Sequence, residues 1–342
     1  MPRPTLLLLP FAGLLAAILL AFAPATAPRP QRLGKVLGAD ISFLPQLEAR
    51  GLKFTDQGQP KDAIEILKAH HFNYIRLRIF NNPAADSGYS PGKGFCDLAH
   101  TLGMARRVKA AGLKLLLDFH YSDTWADPQK QFKPAAWQGL HGAALAQAVH
   151  DYTQGVLRAL QAQGTPPDMV QVGNEISHGM LWPDGNTQLP DSAARYATLT
   201  QLVRAGVAAV RETSPRSLVM LHIALGGQTQ LSNAWLDRMQ AAGVGFDVIG
   251  ESYYPKWHGT LAELQANLTQ LARRYPQDVV VVEYSERKKE VNDIAFNLPG
   301  GKGRGTFIWE PLNTWEAIFD KQGQANALLP LYDELGRAYK IE

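Results

Sequence analysis

Past residue 30, short apolar runs rich in β-branched residues alternate with longer stretches whose apolar positions recur every three or four residues. The first pattern suits strands and the second suits helices packed on one face. Strands are predicted at Val36–Ile41, Tyr74–Ile79, Leu113–Phe119, Met169–Val172, Leu218–Ile223, Phe246–Ser252, Val279–Val282 and Thr306–Trp309. Runs such as Val279-Val280-Val281-Val282 show no polar alternation, as strands covered on both faces require. Helices predicted between them include Lys61–His70, Leu98–Ala111, Gly142–Gln163, Ala193–Thr213, Ser232–Ala242 and Leu261–Tyr275. Gly112 and Gly164 follow helical stretches, where a residue without Cβ readily turns the chain out of the helix. No linker or charge block interrupts the series. Eight βα units imply one α/β domain, residues 28–342, folded as a single (β/α)8 TIM barrel with loop insertions after the second, third and fourth strands. The alternative, a doubly wound open sheet, lacks a Gly-x-Gly-x-x-Gly after an early strand.

The first 27 residues read differently. Arg3 precedes the apolar run Leu6–Phe22, and Ala23-Pro24-Ala25-Thr26-Ala27 offers small-x-small cleavage patterns. A signal peptide over residues 1–27 is expected, making the protein secreted or periplasmic. An uncleaved anchor is the alternative, because the run approaches the length of a membrane span. The Pro-rich stretch Pro24–Pro30 favours cleavage by breaking any helix there. Thirty-four Lys plus Arg against 31 Asp plus Glu leave a net charge of +3, which excludes a strongly basic nucleic-acid binder. A neutral partner and a monomeric chain are the expectations. Cys96 is the only cysteine, so neither an intramolecular disulfide nor a cysteine zinc cluster can staple the fold.

In such barrels chemistry sits where strands end on their C-terminal side. The predicted strands end in Arg76-Leu77-Arg78, Asp118-Phe119-His120, Asn174-Glu175, His222, Glu251-Ser252-Tyr253-Tyr254, Glu283 and Trp309-Glu310. Charged side chains are rarely buried unpaired, so this ring needs mutual pairing or a ligand. Glu175 and Glu283, ending the fourth and seventh strands, would face each other across the mouth. Carboxyls about 5 Å apart suit retaining glycoside hydrolysis, one protonating the leaving oxygen while the other attacks the anomeric carbon. Arg78 is the candidate for keeping Glu283 ionised, and Asn174 for holding a sugar 2-hydroxyl. Trp125, Trp182, Trp257, Trp309 and Trp315 fall at or just past strand ends, where flat rings can cover sugar faces. Trp137 and Trp235 read as packing residues.

Longer strings carry a resemblance. Gly38-Ala39-Asp40-Ile41-Ser42, Leu117-Asp118-Phe119-His120-Tyr121-Ser122-Asp123-Thr124-Trp125-Ala126-Asp127-Pro128, Val172-Gly173-Asn174-Glu175-Ile176 and Tyr253-Tyr254-Pro255-Lys256-Trp257-His258-Gly259-Thr260-Leu261 closely resemble the family 53 glycoside hydrolases. Those enzymes are arabinogalactan endo-β-1,4-galactanases. The resemblance implies a retaining mechanism, with Glu175 as acid/base and Glu283 as nucleophile. It implies that Arg78, His120, Asn174, Tyr253 and Trp309 line the reacting sugar's site; Asp118, Trp125, Trp182, His222 and Trp257 complete the expected substrate-binding set. No metal or cofactor is expected, and β-1,4-linked galactan is the expected partner. After Glu283 the chain reads Tyr284-Ser285-Glu286-Arg287-Lys288-Lys289-Glu290, which departs from the family pattern and bears on the polymer chosen.

Bland readings stand beside these. Glu251, Glu286 and Glu310 compete with Glu283, although alternation forbids Glu251 and Ser252, or Trp309 and Glu310, from sharing a face. Arg76 is the stronger candidate for a purely structural ion pair. His120 and His222 could be satisfied core histidines. The run Arg287-Lys288-Lys289 reads as a solvated face. A rival enzyme would use Asp118, His120, His222 and Asp247 as ligands of a catalytic metal. Others are a retaining hydrolase acting on mannan or xylan, and a sugar-binding protein without chemistry.

Overall fold

The computed structural model describes Met1, residues 33–188, Pro190 and residues 192–341 of the 342-residue chain. Beyond Met1, the expected leader lies outside the described residues. Among the described residues no helix is long and apolar enough to cross a membrane.

Eight strands close into a barrel: β1 Val36–Asp40, β2 Tyr74–Ile79, β3 Lys114–Phe119, β4 Met169–Val172, β5 Leu218–Ile223, β6 Val248–Tyr253, β7 Asp278–Tyr284 and β8 Gly303–Trp309. Every neighbouring pair is parallel, and β8 returns to pair with β1. The sequence pattern finds each strand. Nine of the sixteen ends are exact, six are off by one or two residues, and the start of β8 is off by three, where Gly303 and Gly305 carry no hydrophobic signal. Helices cover the outside: α1 Leu44–Ala49, α2 Ala63–Ala69, α3 Leu98–Ala110, α4 Gly142–Ala162, α5 Ser192–Thr213, α6 Thr229–Ala241, α7 Leu261–Arg274, α8 Lys288–Phe296 and α9 Pro330–Tyr339. Several starts are set by side-chain caps. Asp62 accepts from the Ile64 amide, Asp97 from His100, and Thr260 pairs reciprocally with Glu263 in a capping box. Gly112 and Gly164 adopt positive φ, as helix-ending glycines do.

Alternation along the strands sorts the core into two bodies. Residues such as Ile75, Leu115, Leu117, Val170, Val219, Ile249 and Val281 point outward against the helices, with the indole of Trp235 buried among them. Val36, Tyr74, Leu116, Met169, Met220, Val248, Val280, Val282 and Phe307 fill the barrel interior. Gly38 makes room there, because a Cβ on it would meet the Phe307 ring at 2.2 Å. Above this apolar plug the same inward rows turn polar, with Asp40, Arg76, Asp118, Gln171, His222 and Ser252 each two residues or a multiple of two beyond an apolar inward neighbour. The plug closes the barrel below the polar layer, so that layer opens only upward.

Alternation fails in one place that matters. Val280 and Val282 both point inward, which should send Glu283 outward. Between β6 and β7 the register jumps, with Glu251 paired to Val281 but Ser252 paired to Glu283. A bulge of this kind places two successive residues against one on the partner strand and re-aims a side chain. It turns Glu283 into the barrel mouth, level with Ser252.

The basic run after β7 is corrected in part. Arg287 and Lys289 are exposed, but Lys288 is buried, its Nζ donating to the Ser285 carbonyl at 2.7 Å and to Glu316 at 2.9 Å. That ammonium ties the loop after β7 to the loop after β8. Since Phe307 is fully buried in the interior cluster, Gly38→Ala should lower unfolding free energy by about 1–3 kcal/mol, measured by chemical denaturation; an unchanged midpoint would contradict the tight fit.

Candidate active site

Arg76 sits at the centre of the polar layer, buried on all sides. Its Nη1 donates to Asp40 at 3.0 Å and to Glu283 at 3.1 Å; its Nη2 donates to Asp118 at 2.9 Å and to Asn174 at 2.7 Å. Its Nε donates to Gln171 at 3.2 Å. All five guanidinium protons are therefore used by groups from β1, β3, β4, β7 and the turn after β4. The expectation that Arg78 serves Glu283 is corrected: Arg76 is the guanidinium that bonds it and favours its charged form. Arg78, one pleat higher, pairs with Glu310 at 2.5 Å and Asp40 at 3.5 Å. Its guanidinium lies 4.5 Å from the ring centres of both Phe43 and Trp125, a cation–π sandwich that fixes the Trp125 indole.

Glu175 leaves β4 on an unusual backbone. Gly173 has φ +86°, and Glu175 itself is left-handed at φ 48°, ψ 47°. Such a conformation costs a side chain about 1–2 kcal/mol, so its surroundings must hold it. They do. Gln131 donates to the Asn174 carbonyl at 2.8 Å, and the Trp235 indole donates to the Ile176 carbonyl at 3.2 Å. The turn throws the Glu175 carboxyl across the mouth toward Glu283, and each residue keeps only 8% of its surface exposed. One oxygen of Glu175, one of Glu283 and a ring nitrogen of His222 all lie within 4.8 Å of one another.

The environments of the two acids differ. Glu175 accepts a hydrogen bond from Ser252 Oγ at 2.6 Å. Burial and the negative charge of Glu283 push its carboxyl well above the usual range. Burial raises Glu283 too, but the Arg76 guanidinium and the Tyr254 hydroxyl, donating at 2.9 Å, pull it back toward ionisation. Burial and the adjacent Glu283 push the Tyr254 phenol well up, so it stays a proton donor. Both carboxyls are raised, Glu175 the further, so Glu175 is the one that keeps its proton to higher pH.

Several expected residues move. Tyr253 is corrected: it shares the outward face of β6 with Glu251, and its hydroxyl donates to the Gly259 carbonyl at 3.0 Å. Tyr254, two residues past Ser252, takes the inward position instead. Glu251 faces the helices, bonded by the Leu225 amide, Ser232 and Asn267, with burial lifting its carboxyl to about 8. Asp118 and His222 are fully buried below the opening rather than lining it. Burial works against the Asp118 charge, yet Arg76 and His120 hold it ionised. His120 does line the opening; its Nε2 lies 3.1 Å from Asp118, and its Nδ1 accepts from the Ala126 amide, which fixes the ring. Gln171 was missed from sequence. It sits on the inward row of β4, two residues past Met169, and that spacing was the available signal. The rival metal set does not assemble: Asp247, just before β6, accepts from Arg211 and the Val219 amide at the opposite end of the barrel.

The opening is a cavity of about 300 Å3 lined by Asp40, Arg76, Arg78, His120, Asn174, Glu175, Glu283, Trp125 and Trp309, with Asp127 and Lys130 at its rim. A chain of aromatic rings leads out of it. Trp309 lies 6.3 Å from Trp125 and 5.8 Å from Trp315, which lies 5.7 Å from Trp257 and 4.7 Å from Tyr254. Trp315 and Trp257 are 54% and 50% exposed, which is high for indoles outside a binding surface. Trp182 lies apart on the loop after β4, half-buried beside the exposed Phe132, its indole donating to the His178 carbonyl at 3.2 Å.

A closed (β/α)8 barrel with two unequal carboxyls facing each other at its C-terminal mouth is the framework of a barrel glycoside hydrolase. Comparison gives the particular family: the chain matches the model of glycosyl hydrolase family 53 over residues 36–297 and belongs to that family. It is 33% identical to an endo-β-1,4-galactanase of Bacillus subtilis, over 89% of this chain and 67% of that one. It is 40% identical to a Niallia circulans protein of uncharacterised role, over 81% and 83% of the two chains. The solved GH53 catalytic domain of Ignisphaera aggregans superposes with a TM-score of 0.81 at 31% identity, covering 90% of this chain and 98% of that one.

Removing the Tyr254 hydroxyl takes away a hydrogen bond to the charged form of Glu283, so Tyr254→Phe raises that carboxyl further. The acid limb of kcat/KM should move to higher pH, whereas Tyr253→Phe should leave it in place. The reverse pattern in a pH–rate profile would refute the placement of the two tyrosines.

Proposed function

We propose that the protein is an endo-β-1,4-galactanase that cleaves galactan and type I arabinogalactan with retention of configuration. The spacing of the two carboxyls carries this reading. Oxygens within 4.8 Å of each other leave no room for a water between acid and sugar. That fits the roughly 5–5.5 Å of retaining enzymes rather than the roughly 6.5–9.5 Å of inverting ones. In this reading Glu175 is the acid/base. It protonates the glycosidic oxygen while Glu283 attacks the anomeric carbon, and then deprotonates the water that releases the sugar. Arg76 and Tyr254 keep Glu283 anionic for the attack. Asn174 spends one amide proton on the Ala126 carbonyl at 2.8 Å, leaving the other for the sugar 2-hydroxyl. Trp125 and Trp309 floor the reacting site, and Trp315 with Trp257 extend the track for further sugars, which suits cleavage within a polymer. Export through the expected leader agrees with a substrate too large to enter a cell.

Glu175→Ala should lose turnover of galactan by about 100-fold or more while aryl glycosides with good leaving groups still form the intermediate. Glu283→Ala should lose activity on every substrate, with azide restoring a product of inverted configuration. Equal galactan turnover by either variant and the parent would remove that residue from its role. Reducing-end release should be greatest on galactan among galactan, mannan, xylan and cellulose, and the first product seen by NMR should be the β-anomer.

A further inference from the structure

The hydrogen bonds behind Glu175 run in one direction. Ser252 Oγ lies 2.6 Å from Glu175 Oε1 and 2.8 Å from His222 Nε2. A hydroxyl has one proton to give, so the state of the nitrogen decides where that proton points. On the other side of the ring, Nδ1 meets Gln171 Nε2 at 3.1 Å and the backbone N–H of Glu175 at 3.4 Å. A backbone amide can only donate. The Gln171 amide is oriented as well, because Arg76 donates to its Oε1 and its Nε2 donates to Asp118 at 2.5 Å. Asn174 Oδ1 also approaches Nδ1 at 3.0 Å and already accepts from Arg76, but a proton on Nδ1 would be opposed by the Glu175 N–H that points at it. Nδ1 is therefore the acceptor and the ring proton sits on Nε2. Burial and the Arg76 charge hold the ring neutral, so there is only that one proton.

We propose that His222 and Ser252 are positioning residues that decide which oxygen of Glu175 carries the acid proton. His222 Nε2–H donates to Ser252 Oγ, which commits the serine proton to Glu175 Oε1. With Oε1 held as an acceptor, the acid proton is confined to Oε2 and is delivered from there to the glycosidic oxygen. In the second half of the cycle the same Oε2 takes a proton from the attacking water, which restores the acid. Without the serine proton, either oxygen could be protonated, and a proton on Oε1 would face the barrel interior. This proposal rests on the assignment of Glu175 as acid/base. The other charged groups facing Glu175 are Glu283 on β7, Arg76 on β2 and Asp127 after β3; those facing His222 are Arg76, Asp118, His120 and His258. None is removed by changing Ser252.

The test compares Ser252→Ala, His222→Gln and Glu175→Ala with the parent on galactan and on aryl β-1,4-galactobiosides of graded leaving-group acidity. Ser252→Ala should lose about 10–100-fold in kcat/KM on galactan and on the poorest leaving group, with little loss on the best. Because the lost hydrogen bond favoured the carboxylate, Glu175 stays protonated to higher pH, and the basic limb should rise by about one pH unit. His222→Gln, which still places an amide N–H near Ser252, should fall between the parent and Ser252→Ala. Retained turnover of the best leaving group shows that each variant is folded. A Ser252→Ala loss that is equal on all leaving groups, with an unmoved basic limb, would overturn the positioning role. If Glu175→Ala itself showed no dependence on the leaving group, the acid assignment beneath it would fall instead.

Discussion

A single buried guanidinium organises this barrel. Arg76 spends every proton it has on acceptors from five places around the polar layer. A buried charge of this kind is tolerable only when its partners are close and fully satisfied. The requirement works in both directions. Arg76 favours the charged forms of Asp118 and Glu283 away from water, and Arg76 can be buried because they and Asp40 surround it. Five carboxyls, those of Asp40, Asp118, Glu175, Glu283 and Glu310, share the layer with only two guanidiniums. Some of the five must therefore hold protons. Burial pushes Glu175 and Glu310 well up, and Arg78 only partly offsets this for Glu310.

The asymmetry between the two facing acids follows from that shortage of positive charge. Glu283 lies within reach of Arg76, while Glu175 lies across the opening and receives a neutral hydroxyl instead. The difference is one of position rather than residue type. It depends on the bulge that turns Glu283 inward and on the left-handed turn that carries Glu175 across. Both are local departures from regular geometry, held by regular structure around them, as is common where side chains must be aimed. The rigid apolar plug beneath, with Phe307 filling the space that Gly38 vacates, gives the layer a fixed floor.

The strand pattern was legible because period-two burial and unbroken Val-rich runs are written directly into the chain. The ring of polar residues at strand ends was legible for the same reason, and so were Trp125 and Trp309 as a pair near the mouth. The choice between Arg76 and Arg78 escaped. Both lie on the same face of β2, and only the depth of Glu283 selects the lower one. The resemblance points to Tyr253 because it runs through both tyrosines. The alternation rule, carried on from Ser252, would have chosen correctly. Lys288 looked solvated within a charged run, and its burial depends on a carboxylate 28 residues away.

The sequence alone determined the barrel, the order of its parts and the strand ends from which chemistry would come, since these depend on short-range periodicity and on residues adjacent in the chain. Tertiary structure decided which of those residues meet. Glu283 faces Glu175 through a register shift that no local pattern encodes, Arg76 reaches it by closing the barrel, and His222 acts from below the opening rather than at its edge. Distance and depth between residues a hundred positions apart are set by packing, and packing becomes visible only when the whole chain is folded.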